Sequence, residues 1–182
     1  MDSLLSIDRS VFLSINLLPH TAGTDWLALF FSGAGTAGFI WICIAVVLFF
    51  NEEKKNHRFF LPIVLALGAC WLLVERMLKY AVARPRPQVL DGALIVGSAS
   101  GFSFPSSHAA VSWAMAVVMA RYEPRLRYIW YLLAVVISFT RIYLGVHYPL
   151  DVIAGAGIGW GIGSMALLWV SPQRKKSSAS SR

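Results

Sequence analysis

Apolar residues run through this chain in five long stretches with polar breaks between them. Trp26–Phe50 carries no charge at all. Phe59–Ala83 is apolar to Val74 and then takes on Glu75, Arg76 and Lys79. Ser107–Ala120 and Leu126–Thr140 are shorter, and Pro149–Val170 is Gly-rich with Asp151 near its start. A helix that crosses a bilayer needs about 20 mostly apolar residues. The pattern therefore predicts an all-α fold, a polytopic transmembrane helical bundle of about five spans. Residues 3–18 are different. Leu4, Leu5, Ile7, Val11, Phe12, Ile15 and Leu18 fall near one helical stripe, with Asp8 and Arg9 off it. That stretch, within an N-terminal segment 1–22, is read as an amphipathic helix lying in the interface. The alternative is a sixth, tilted or partial span.

Composition points the same way. Of 182 residues, 57% are hydrophobic and 14% charged, and the mean hydropathy is +0.64. Ordinary soluble domains have roughly 45–50% apolar and about 25% charged residues. So much apolar surface does not fit inside a water-soluble chain of this size, and the length suits a single domain over 1–182. Cys43 and Cys70 lie inside apolar runs and read as small hydrophobes. The N-terminus has Asp2 and Asp8 and no basic n-region, so no cleavable signal peptide is expected.

The net charge of +7 would suggest nucleic acid in a soluble protein. Here the basic residues fall between apolar runs, so membrane topology is the better reading and no nucleic-acid partner is expected. Lys54, Lys55 and Arg58 occupy one turn, Arg121, Arg125 and Arg127 a second, and Arg174, Lys175, Lys176 and Arg182 the tail 171–182. Five spans put all three on one side, the cytoplasmic one. Of the other six basic residues, Arg76, Lys79, Arg84, Arg86 and Arg141 then sit on or near the outer half of the membrane. Such residues are functional candidates by default.

Three polar clusters lie at that outer end: Lys79 to Pro87, Phe104 to His108, and Thr140 to Asp151. Lys79, Arg84, Arg86 and Arg141 converging on one place imply an anion of dispersed charge, and a phosphoryl group fits. Ser106 and Ser107 open a helix, whose free N–H groups favour an anion. They serve there as caps as well as phosphate ligands. Two histidines, His108 and His147, and one carboxylate, Asp151, supply between them a nucleophile, an acid and an orienting group. Glu75, four residues before Lys79, reads as a helix pair that also holds the lysine. Arg84 stays open between phosphate ligand and headgroup contact, and Arg76 reads as a snorkelling residue. Surplus cations disfavour a divalent metal, so neither metal nor cofactor is expected. Gly155, Gly159 and Gly163, at spacing four, predict close helix packing.

The clusters read Lys79-x6-Arg86-Pro87, Pro105-Ser106-Ser107-His108 and Thr140-Arg141-x5-His147-x3-Asp151. In order and internal spacing they resemble the three motifs of the type 2 phosphatidic acid phosphatase superfamily, K-x6-R-P, P-S-G-H and S-R-x5-H-x3-D. Ser107 stands where the family has Gly, and Thr140 where it has Ser. The resemblance implies a metal-independent phosphatase working through a phosphohistidine. His147 would be the nucleophile, Asp151 its orienting partner and His108 the acid for the leaving oxygen. Lys79, Arg86, Ser106, Ser107, His108 and Arg141 would hold the phosphate. The hydropathy points to the membrane lipid phosphatases of that family, with a lipid phosphate as the substrate partner. Small size and an outward site resemble the bacterial enzymes acting on undecaprenyl diphosphate in the cytoplasmic (inner) membrane. Phosphatidylglycerophosphate, phosphatidate and lipid A phosphates are the alternatives. A different class, a small anion-binding transporter, would need the cations but not His147 beside Asp151.

Overall fold

The computed structural model describes residues 2–51, 59–88 and 92–170. Eight α-helices follow in order: α1 Asp2–Asn16, α2 Ala22–Gly35, α3 Phe39–Asn51, α4 Phe60–Cys70, α5 Lys79–Val82, α6 Ser107–Tyr122, α7 Arg127–Tyr143 and α8 Pro149–Val170. A 3-10 turn, Thr36–Gly38, joins α2 to α3, and a π-helix, Trp71–Leu78, joins α4 to α5. No strand occurs among the described residues.

Four helical stretches are long and apolar enough to cross a membrane: Ala22–Phe50, Phe60–Val82, Pro124–Tyr143 and Pro149–Val170. Their outer faces carry a belt of large apolar side chains, among them Phe30, Val47, Leu132, Ile153 and Leu168, which suits lipid rather than water. The remaining span expected from sequence, α6, has 16 residues, about 24 Å at 1.5 Å per residue. It is short because it is central. Ala110, Ala114, Met115, Ala116, Val118 and Met119 are all buried, so this helix meets protein on every side.

The glycines of α8 explain the closeness of that core. A methyl group added to Gly155, Gly159 or Gly163 would collide with the backbone carbonyl oxygen of Ser106, Ala110 or Ala114 respectively. Packing at spacing four is thus direct backbone contact between α6 and α8, as the pattern predicts.

Helix α1 is formed as expected and adds a contact that its stripe did not announce. Leu4, Leu5, Ile7 and Val11 are exposed, whereas Asp8, Phe12 and Asn16 are buried. The face turned to the protein is the i, i+4, i+8 row that contains two polar residues. Asn16 pays for its burial with three hydrogen bonds: it donates to the carbonyls of Leu94 at 2.8 Å and Tyr143 at 2.9 Å, and accepts from Leu94 N–H at 2.7 Å. The basic turn Lys54–Arg58 and the tail 171–182 lie outside the described residues. Arg121, Arg125 and Arg127 are exposed at the end of the bundle opposite the N-terminus of α6.

Candidate active site

Four helix ends meet on one side of the bundle: the C-termini of α5 and α7 and the N-termini of α6 and α8. Between them lies a cavity of about 460 Å³ lined by Lys79, Arg86, Ser107, His108, Arg141 and His147. Six of the expected site residues therefore share one wall. Asp151 stands behind His147, and Ser106 and Arg84 lie outside the lining.

Each side chain is positioned by a local device. Lys79 is buried and donates from Nζ to Glu75 Oε1 at 2.8 Å and Oε2 at 3.1 Å. The π-helix turn ends there, with the Lys79 N–H bonded to the Val74 carbonyl. Ala83, at φ 49°, then takes the left-handed conformation that stops the helix and turns the chain toward Arg84. Arg86 donates from Nε to the Gly101 carbonyl, from NH2 to Ser100 and from NH1 to Val146, at 3.0, 3.0 and 2.7 Å. Those carbonyls fix its fork. Arg141 is buried, with NH1 on the Ser32 hydroxyl and, among the described residues, no partner for its Nε. A guanidinium in a cavity wall fits an oxyanion.

Ser106 is the N-cap of α6. Its Oγ accepts from Ala109 N–H and its own N–H donates to the Asp151 carbonyl at 2.9 Å. Its side chain is committed to the cap and absent from the cavity lining. The Ser107 hydroxyl donates to Glu75 Oε1, so only its backbone N–H stays with the helix start. Thr140 keeps a hydroxyl at the family's Ser position, but the group is buried and bonded to the Ile137 carbonyl at 2.7 Å. His108 points its Nε2 at Thr36 Oγ1, 3.3 Å away.

His147 sits in the loop between α7 and α8 and is buried. Its Nε2 is 3.1 Å from Arg86 NH1. A guanidinium can only donate, so Nε2 is the acceptor, and in the neutral ring Nδ1 carries the proton. Nδ1 faces Ser103 Oγ at 3.4 Å and Asp151 Oδ2 at 3.6 Å. Burial pushes the His147 pKa down to about 4, with Arg86 and Arg141 adding to the depression and Asp151 opposing it. The ring is thereby kept neutral, with its Nε2 lone pair on Arg86 NH1 at the cavity wall.

Asp151 is fully buried. Oδ2 also accepts from the Ser103 hydroxyl and from Tyr148 N–H at 2.9 Å. Oδ1 takes Arg84 NH1 at 2.7 Å, and Arg84 NH2 reaches Asp8 Oδ2 at 2.6 Å. Burial alone would lower the Arg84 pKa, but Asp8 and Asp151 outweigh it and hold it above its ordinary value. Arg84 is thus committed to carboxylates. Sequence reasoning missed Ser103 and Asp8 as parts of this network. Ser103 lies in an irregular loop with no periodic signal, and Asp8 looked like the solvated side of an interfacial helix.

A second cavity of about 580 Å³ adjoins the first and shares Thr36, Glu75, Ser107 and His108 with it. Gly35, Ala37, Leu67, Cys70, Trp71, Tyr80 and Val111 line the rest, with Arg76 the one further charged residue. It opens beside the α2–α3 break, where Ala37 and Gly38 both have positive φ. A largely apolar compartment therefore joins a cationic one at Thr36, Glu75, Ser107 and His108.

The sequence model described as "PAP2 superfamily" matches residues 59–175. An undecaprenyl-diphosphatase of Sulfolobus acidocaldarius is 33% identical over 82% of this chain and 68% of its own. A lipid A 4'-phosphatase of Bacteroides thetaiotaomicron is 32% identical over 87% of this chain and 75% of its own. The crystal structure of a transmembrane PAP2 type phosphatidylglycerolphosphate phosphatase from Bacillus subtilis superposes with a TM-score of 0.75, covering 93% of this chain and 87% of that one. At 22% identity it shares the fold.

Proposed function

The chain belongs to the PAP2 superfamily, and we propose that it is an integral-membrane lipid phosphatase that works through a phosphohistidine on His147. The observation that carries this reading is the place of His147 on the wall of a cavity, with its Nε2 held as an acceptor by Arg86 NH1 and with Lys79, Arg141 and His108 on the other walls.

The phosphate of the substrate takes the place where these cations converge, drawing donors from Lys79, Arg86, Arg141 and the N-terminus of α6. His147 Nε2 attacks phosphorus. The N–P bond forms as the P–O bond to the leaving group breaks, and His108 gives its proton to the departing oxygen. Water then attacks the phosphohistidine, passing a proton to His108 as the N–P bond breaks and phosphate leaves. Asp151 holds the Nδ1–H tautomer and stabilises the positive ring formed by attack. His108 stands where the two cavities join, which suits a leaving group whose lipid tail runs into the apolar one.

Among lipid phosphates, undecaprenyl diphosphate is the substrate we place first, on the small size of the chain and the likeness to the Sulfolobus relative. Phosphatidylglycerophosphate, phosphatidate and lipid A phosphates are the alternatives. We further assign the site to the outer face of the cytoplasmic membrane and the C-terminus to the cytoplasm. Exposed Arg121, Arg125 and Arg127 at the opposite end of the bundle support that orientation. The test is hydrolysis of these four lipids by the purified chain, with His147→Ala beside it. Turnover of at least one, lost in His147→Ala together with acid-labile phosphoenzyme, is expected. Anion transport without hydrolysis would overturn the reading.

A further inference from the structure

Asp8 lies on α1, outside the residues matched by the family model, yet it is 3% exposed and belongs to the same charge array as Asp151, which is 0% exposed. Arg84 joins them with one guanidinium nitrogen on each, at 2.6 Å to Asp8 and 2.7 Å to Asp151. Its plane is held 4.2 Å over the Tyr148 ring. The second oxygen of Asp8 accepts the Leu150 N–H at 2.9 Å, at the first turn of α8 that carries Asp151. Two carboxylates and one guanidinium leave one net negative charge. Without Asp8, Arg84 would cancel the charge of Asp151, and the carboxylate would offer little to a positive imidazole ring.

We propose that Asp8 and Arg84 are positioning residues: Arg84 clamps Oδ1 of Asp151 so that Oδ2 faces His147, and Asp8 offsets the guanidinium so that Asp151 keeps its charge for the ring. The N-terminal helix is in this way a working part of the site. The proposal rests on the role given to His147 above. The plain alternative is a tie that only fastens α1 to the bundle, and it makes different predictions.

The other charged groups around His147 are Arg86 from the loop, Arg141 from α7 and Asp151 from α8, with Lys79, Glu75 and His108 across the cavity. None of them is changed in Asp8→Asn or Arg84→Gln. In the full chain, Asp8→Asn leaves Arg84 unopposed and should lower the His147 pKa. Arg84→Gln leaves a surplus carboxylate and should raise it. The double variant should return it toward the parent value. His147 titration by NMR of labelled imidazole reads all three without any substrate. In turnover, each single variant should lose kcat by about ten- to a hundredfold, as when a partner that orients a catalytic group is lost, while KM and vanadate inhibition stay within about twofold.

Asp8→Glu keeps the charge and should recover most of kcat, which covers the case of an Asn variant that folds poorly. Unmoved titration, or shifts of one sign in both single variants, would overturn the proposal. So would a KM and vanadate defect with kcat intact, which would make Arg84 a phosphate ligand. A parent chain that hydrolyses no lipid phosphate would strike the phosphatase reading instead, with the titration still deciding this one.

Discussion

The Ser107 hydroxyl and the Lys79 ammonium share one oxygen, Oε1 of Glu75. This carboxylate borders both cavities and holds the Lys79 ammonium, while the Ser107 side chain serves Glu75. Ser107→Gly, which restores the family residue, should therefore change kcat/KM by less than about tenfold. Lys79→Ala removes a cation from the cradle and should cost about a hundredfold or more, in line with loss of one oxyanion donor. Steady-state kinetics on a lipid phosphate compares the two. A Ser107→Gly defect as large as that of Lys79→Ala would mean the hydroxyl serves phosphate.

His147 should remain neutral down to about pH 4, against about 6.5 for an ordinary imidazole. Its folded pKa lies below its unfolded one, so the unfolded chain binds more protons between those values. Its contribution to stability is complete above about pH 6.5 and is lost as pH falls toward 4. Chemical-shift titration of the imidazole and unfolding midpoints at several pH values check both halves of the claim.

His108 and His147 should separate by leaving group. Protonation of the departing oxygen matters less when its pKa is low, and general acid catalysis contributes about 10²–10⁴-fold. His108→Ala should be rescued in part by an aryl phosphate substrate, and His147→Ala should not. Asp151→Asn should keep the fold and lose rate strongly. Vanadate should inhibit, and EDTA should leave turnover intact. Activity lost in EDTA and restored by Mg²⁺ would contradict a mechanism carried by side chains alone.

The apolar cavity offers a separate test. Val111→Trp fills space beside Leu67 and Trp71 and should raise KM for long-chain lipid phosphates several-fold. A short, water-soluble phosphate should be hydrolysed as before. Equal defects on both would mean the cavity serves the fold and not the tail.

Gly159→Val should destabilise the chain by more than about 3 kcal/mol, since the nearest atoms are the Ala110 backbone and cannot rotate away. Gly161→Ala, on the open side of the same helix with nothing near its added methyl, should be neutral or better. Thermal unfolding in detergent compares them.

Much of this was legible in the chain. Five apolar runs mark the helices, and charge-bearing residues at their ends mark the site, because hydrocarbon tolerates ions only where they are used or paired. Gly155, Gly159 and Gly163 announced a backbone contact. Sequence period alone left the role of Asp8 on α1 unread, because an aspartate that pairs across 76 residues looks the same in the chain as one that faces water. It also had no means of separating Ser106 from Ser107, since cap and ligand are distinguished by where one hydroxyl points.

The π-helix at Trp71–Leu78 has a consequence for how this chain can vary. Each residue of an α-helix advances the side-chain direction by about 100°, and a wide turn absorbs residues without adding a full revolution. Removing one residue between 71 and 78 would let the segment relax to ordinary α geometry. Lys79 and everything after it would then keep nearly the same angular position about the helix axis, because the wide turn had already absorbed that residue. A residue added without a further wide turn would instead swing Lys79 by about 100°, away from the cavity, so the segment tolerates loss of length better than gain.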